Sequence, residues 1–153
     1  MQKVLIADND PETRAFYAQL VAEMGHLPLQ CEDGIGVLDC ASANPDIDLM
    51  ITDIDLPGAW GEQLIEVVRG IDRLVNVPIL VISAPRTRTE LMRLLVIGVR
   101  QWFEKPPTTE ELRAAITACL DRSAALDLFD VEDVIPSGEL VGAGPDNAWL
   151  LAA

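Results

Sequence analysis

Five short apolar runs punctuate the chain, and each stops at a polar residue or a helix breaker. Val4 to Ala7 gives way to Asp8-Asn9-Asp10, and Leu27 to Cys31 to Asp33-Gly34. Leu49, Met50 and Ile51 lead to Asp53 and then to Pro57-Gly58. Ile79 to Ile82, opened by Pro78, ends in Ser83-Ala84-Pro85, and Val99 to Phe103 ends in Lys105-Pro106-Pro107. Continuous apolar runs of this length read as strands buried on both faces. Between them, apolar positions recur at helical spacing. Asp10-Pro11 reads as an N-cap followed by proline at the first helical position; Phe16, Leu20 and Met24 mark one face, and Gly25 supplies a left-handed C-cap. Ile35 to Ala43 read as a second helix with Ile35, Leu38 and Ala41 or Ser42 inward, until Asn44-Pro45 breaks it. Leu64, Ile65, Val68 and Ile71 mark a third. Thr87 with Glu90 and Thr108 with Glu111 have capping-box spacing. They open two further helices, which face inward through Leu91, Leu94 and Leu95, and through Leu112, Ile116 and Leu120.

Strand and helix therefore alternate five times. This predicts an α/β fold with a five-stranded parallel sheet, doubly wound so that helices cover both faces. The expected strand order is 2-1-3-4-5, which opens a crevice beside strands 1 and 3 at their carboxyl ends. Asp8 ends strand 1 and Asp53 ends strand 3; Ser83 and Lys105 end strands 4 and 5. Four side chains of complementary chemistry are thereby expected at one sheet edge.

Composition narrows the function. A net charge of −14 disfavours broad contact with nucleic acid or anionic lipid, which requires clustered Lys and Arg. No apolar stretch approaches the roughly 20 residues needed to span a bilayer, and the N-terminus turns acidic too soon for a signal peptide. Cys31, Cys40 and Cys119 have no ligand-like spacing and sit in apolar context, which fits a reducing, cytoplasmic setting. His26 has no second ligand spaced to join it.

Carboxylates gathered at one pocket repel each other, and a divalent cation relieves that cost. Mg²⁺ suits a site with one or two carboxylates, waters and a phosphate. Lys105 and Ser83 would then supply a cation and a hydroxyl donor for a phosphoryl group on Asp53. Val-Leu-Ile-Ala-Asp8, Thr-Asp53-Ile-Asp-Leu-Pro-Gly, Ile-Ser83-Ala and Glu-Lys105-Pro, in that order and at those spacings, resemble the receiver domain of two-component response regulators. The resemblance covers residues 1 to about 122 and implies the flavodoxin-like, CheY-like fold. It implies that Asp53 accepts a phosphoryl group from a phosphohistidine on a histidine kinase or histidine phosphotransfer protein. Mg²⁺ would be held by Asp8, Asn9, Asp53 and the backbone carbonyl of Asp55, and Ser83 and Trp102 would be the switch pair. A downstream protein target would read the surface formed by helix 4, strand 5 and helix 5, which is also a candidate homodimer face.

The chain departs from the family's pattern in several places. Asn9 stands where the family carries a second acid, removing one charge from the metal site. Trp102 replaces the usual Tyr or Phe, and its bulk is expected to hinder the inward rotamer. The carboxylate of Asp55 is a candidate either to restore the charge missing at Asn9 or to position a water for hydrolysis. Trp60 lies near the expected site mouth. Residues 123–153 form an acidic, apolar C-terminal extension with no Lys or Arg and with Asp127, Asp130, Glu132, Asp133, Glu139 and Asp146. Its final Leu-Leu-Ala-Ala resembles C-terminal signals read by bacterial energy-dependent proteases. The expected function is a phosphorylation-dependent switch, not an enzyme. Two alternatives are a pseudo-receiver adaptor that works without phosphate, and a haloacid-dehalogenase-type phosphatase suggested by Asp53-Ile-Asp55.

Overall fold

A computed structural model describes residues 1–58 and 61–121. The expectations for Trp60 and for the extension from 123 onward fall outside the described residues. The sheet contains β1 (Lys3–Ala7), β2 (Leu27–Cys31), β3 (Ile47–Thr52), β4 (Ile79–Ser83) and β5 (Gln101–Glu104). All pairings are parallel and the order is β2-β1-β3-β4-β5, as the alternation of runs predicts. The helices are α1 (Pro11–Glu23), α2 (Gly34–Ala43), α3 (Glu62–Arg69), α4 (Arg88–Val96) and α5 (Thr109–Leu120). A short 3-10 turn, Asp72–Leu74, follows α3 and was not evident from the pattern.

Period-two alternation along the strands splits the core into two layers. Val4, Ile6, Leu49, Ile51, Leu80 and Ile82 face α1 and α5. Leu5, Ala7, Met50, Ile79 and Val81 face α2, α3 and α4. Because β1, β3 and β4 bury both sets, their sequences read as unbroken apolar runs. Fully burying each such Leu or Ile contributes on the order of 2 kcal/mol.

The helix starts are set as expected. Asp10 accepts a hydrogen bond from the Thr13 N–H at 3.3 Å, Thr87 from the Glu90 N–H at 3.2 Å and Thr108 from the Glu111 N–H at 3.1 Å. Gly25, with φ of 88°, follows α1 in the left-handed conformation that favours glycine. Asp33-Gly34 is not a separate turn: Asp33 is the N-cap of α2, accepting from the Gly36 N–H at 2.7 Å, and Gly34 is the first helical residue.

Two inward faces are corrected. Phe16 is 46% exposed, and the buried stripe of α1 is Tyr17, Ala18, Leu20 and Val21. Steps of four residues overshoot a 3.6-residue turn, so a run of i, i+4, i+8 drifts off the buried face. Ile35 is 64% exposed while Val37 and Ala41 are buried, and Ser42 is exposed.

The buried acids of the core set a stability limit at high pH. Burial pushes the Cys31 thiol up to about 12, with neighbouring Cys40 adding to it. It pushes the Cys119 thiol up to about 11 and the Tyr17 phenol up to about 12. The unfolded chain ionises these groups at lower pH, so above about pH 9 the folded state holds more protons and stability falls as pH rises. By about pH 10 each buried thiol is expected to have removed about 1 kcal/mol. Urea midpoints measured between about pH 8 and 10 should fall in the wild type and fall less in Cys119→Ala.

Candidate functional site

Asp8 follows β1 directly, and Asp53 follows β3. Parallel pairing of β1 with β3 matches Ala7 to Thr52, which brings the two acids side by side; the Asp53 N–H donates to the Ala7 carbonyl at 3.0 Å. Both are buried, at 1% and 5% exposure. Ser83 ends β4 and is fully buried. Lys105 follows β5, held by its N–H to the Ser83 carbonyl at 2.9 Å. The peptide bond between Lys105 and Pro106 is cis.

The ammonium of Lys105 bridges the acids, with Nζ 2.6 Å from Asp53 Oδ2 and 2.8 Å from Asp8 Oδ2. Burial works against its charge, but the hydrogen bonds to Asp53 and then Asp8 outweigh that and hold its pKa above the ordinary lysine value. Asp53 Oδ1 accepts the Asp55 N–H at 2.9 Å, and Asp8 Oδ1 accepts the Asp10 N–H at 2.9 Å. Asp8 Oδ2 is buried and has no partner among the described residues besides the Lys105 ammonium. A buried carboxylate oxygen with an unused lone pair is costly unless a cation takes it. Among the described residues no three His, Cys, Asp or Glu side chains cluster to hold a metal. A hard cation here would therefore rely on two carboxylates, carbonyl or amide oxygens and water, a donor set that fits Mg²⁺. Asn9 is exposed beside Asp8, where its amide oxygen can join that set.

The hydrogen bonds of the Ser83 side chain go to Ala84 and Trp102 rather than to Asp53. Its hydroxyl donates to the Ala84 carbonyl at 3.0 Å and accepts the indole N–H of Trp102 at 3.0 Å. Trp102 is 3% exposed and belongs to the core layer under α4. The expectation that its bulk hinders an inward position is thus corrected. The ring fills space between β5 and α4, and Ser83 satisfies the N–H that burial would otherwise leave unpaired.

The carboxylate of Asp55 is taken by Arg86, which also reaches Glu90 at 3.3 Å. A carboxylate so engaged at the rim is not placed to replace the charge lacking at Asn9. Sequence reasoning missed Arg86, and it missed Arg14, whose guanidinium donates to the Asp8 carbonyl at 2.7 Å. The signals were present: Arg86 lies in the loop after Ser83, and Arg14 stands one turn after the cap residue Asp10.

Residues 4–117 match the response regulator receiver domain family. The chain is 27% identical over 121 residues to the chemotaxis protein CheY of Pseudomonas aeruginosa, covering 78% of this chain and 97% of that protein. It is 28% identical over 130 residues to hybrid signal transduction histidine kinase D of Dictyostelium discoideum, covering 84% of this chain but only 8% of the kinase. Its fold superposes on Vibrio cholerae chemotaxis protein CheY4 with a TM-score of 0.73 at 23% identity, covering 78% of this chain and 99% of that one. A receiver domain protein from Clostridium thermocellum gives 0.74 at 20% identity, covering 83% and 100%.

Proposed function

The chain belongs to the response regulator receiver domain family, and from that premise we propose that it is a phosphorylation-dependent signalling switch with Asp53 as the phosphoacceptor. The observation that carries this reading is the Lys105 ammonium, 2.6 Å from Asp53 and 2.8 Å from Asp8 at the carboxyl edge of the sheet. A phosphohistidine of a histidine kinase or phosphotransfer protein is the donor. An oxygen of Asp53 attacks phosphorus and the P–N bond of the donor breaks. Lys105 neutralises charge on the transferred group, and the Ser83 hydroxyl rotates from Ala84 to donate to a phosphoryl oxygen. Asp8, Asn9, Asp53 and the Asp55 carbonyl would hold Mg²⁺, which supplies charge neutralisation to the incoming phosphoryl group. The output is protein–protein contact through the surface of α4, β5 and α5, with no catalytic turnover of a separate substrate. No helix among the described residues is long and apolar enough to cross a membrane, and the proposed setting is cytoplasmic.

The test is to incubate the protein with Mg²⁺ and a small acyl-phosphate donor, then locate the adduct by borohydride trapping and mass spectrometry. A single phosphoryl group on Asp53 is expected. An adduct at another residue, or none, overturns the reading.

A second reading, the phosphorylation-independent adaptor, draws on Trp102, which is already inward and bonded to Ser83. Beryllofluoride with Mg²⁺ separates the two: chemical-shift changes reaching α4 and β5 support the switch, and an unresponsive spectrum supports the adaptor. The phosphatase alternative has no support from the family match, and turnover of a generic phosphate ester would revive it.

Asn9 gives a further prediction. Returning a carboxylate in Asn9→Asp adds one charge to an oxygen-ligand site, and Mg²⁺ affinity is expected to rise by about tenfold. Titration of the Mg²⁺-dependent shift in thermal midpoint checks it, since bound ligand stabilises the folded state as RT ln(1 + [L]/Kd).

A further inference from the structure

Cys31 ends β2 and Cys40 lies in the second turn of α2. The helix approaches the strand closely at Gly36, where an added Cβ would stand 3.6 Å from the Cys31 Cβ. Cys40 is four residues on, on the same helical face, and packs against the core cluster that contains Cys31. Cys31 is 6% exposed, whereas Cys40 is half-buried. Both line an open surface groove of about 500 Å³ together with Arg14, Asp33 and Asp39. Cys119 belongs to the opposite core layer, beneath α5, and cannot join them.

We infer that Cys31 and Cys40 form a built-in site of oxidative modification, closing an intramolecular disulfide when a peroxide-class oxidant enters this groove. Neither thiol takes part in the phosphoryl chemistry proposed above, so the inference stands or falls separately from it. The half-buried Cys40 meets the oxidant first. Its sulfur attacks a peroxide oxygen, the O–O bond breaks, one water leaves, and Cys40 becomes a sulfenic acid. The Cys31 sulfur then attacks that sulfur, the S–O bond breaks and a second water leaves. Two thiols have lost two hydrogens and one peroxide has become two waters. Two thiols that line one groove reach disulfide geometry by side-chain rotation and a shift of the second turn of α2 toward β2. The linkage would tie α2 to the strand whose Cys31 carbonyl accepts the Asp8 N–H at 3.2 Å, one hydrogen bond from the acid pair.

The folded full chain is exposed to hydrogen peroxide, then denatured and alkylated. No Lys or Arg lies between Arg14 and Arg69, so trypsin leaves both cysteines in one peptide; cleavage before Asp33 and Asp39 separates them. The expected product is a peptide pair joined through Cys31 and Cys40, released by dithiothreitol, with Cys119 alkylated. Cys40→Ser should leave Cys31 alkylatable after the same exposure, with a thermal midpoint confirming that it folds. Bonding to Cys119 or between chains, conversion of Cys40 to sulfinic acid without pairing, or persistence of all three thiols overturns the inference.

Discussion

Asp53→Asn is expected to take up no phosphoryl group from either an acyl phosphate or a phosphorylated donor protein, while remaining folded. The amide can still accept the Asp55 N–H that Asp53 Oδ1 accepts at 2.9 Å, but it is a poor nucleophile. Lys105 keeps Asp8 as a partner at 2.8 Å. Losing one ion pair and one like-charge repulsion together changes stability by no more than about 1 kcal/mol. Intact mass and thermal midpoint, measured on the same samples, separate a chemical loss from a folding defect. Uptake by the variant at the wild-type rate would place the acceptor elsewhere. Lys105→Met is the informative companion. It leaves two buried carboxylates adjacent with no cation, which is expected to destabilise by about 2 kcal/mol, less than a fully buried pair because the lysine side chain is 28% exposed. Phosphoryl uptake should slow by about 10²–10³. Mg²⁺ should then raise the thermal midpoint of Lys105→Met by more than it raises the wild type, because it takes over the cation's place between the acids.

The lysine also carries a pH signature. Its folded pKa lies above that of the unfolded chain, so its contribution to stability is complete below about pH 10.4 and is lost as pH rises beyond it. That loss adds to the thiol and phenol effects and acts in the same direction. Acid has the opposite logic and tests other groups. Asp10, held below the usual carboxylate range chiefly by the Thr13 hydroxyl, contributes as an N-cap whose stabilisation is complete above the ordinary carboxylate range and is lost as the pH falls through that range to its lowered value.

Why the sheet edge was legible and its contacts were not follows from what each depends on. A strand buried on both faces must be apolar throughout, so the residue that ends the run is visible in the sequence, and parallel topology aligns those ends by itself. Asp8, Asp53, Ser83 and Lys105 needed nothing more. Helix faces carry a weaker signal. The i+4 series of Phe16, Leu20 and Met24 and the i+3/i+4 series through Tyr17, Leu20 and Val21 share Leu20 and differ by one position, and only the angle at which α1 lies on the sheet decides between them. Side-chain partnerships lie further out of reach. Arg86 could serve Asp55, Glu90 or a ligand, and which it serves depends on how the loops after β3 and β4 are brought together. Trp102 shows the same limit: its size suggested exclusion, but a hydroxyl on the neighbouring strand made burial affordable. The exposed Asn9 follows β1 as the pattern places it, yet whether its oxygen turns toward a cation is a matter of rotamer rather than of sequence.

Trp102→Ala is expected to cost about 3–5 kcal/mol of stability, the range for truncating a large buried aromatic whose cavity is only partly refilled. Trp102→Phe keeps most of the ring volume and removes the donor to Ser83, so its cost should be nearer 1–2 kcal/mol, roughly one hydrogen bond plus a small void. Urea midpoints of the three proteins, at constant m-value, give the comparison; equal losses in both variants would mean that the indole N–H, not the packing, holds the ring. The same pair tests the proposed switch. If the Ser83 hydroxyl turns from Ala84 to a phosphoryl oxygen, the indole bonded to its oxygen at 3.0 Å must feel the change. Beryllofluoride with Mg²⁺ should then alter tryptophan emission in the wild type. Trp60 and Trp149 also emit, so the part of the change owed to Trp102 is what disappears in Trp102→Phe. An identical response in both proteins would mean that Ser83 and Trp102 do not move together.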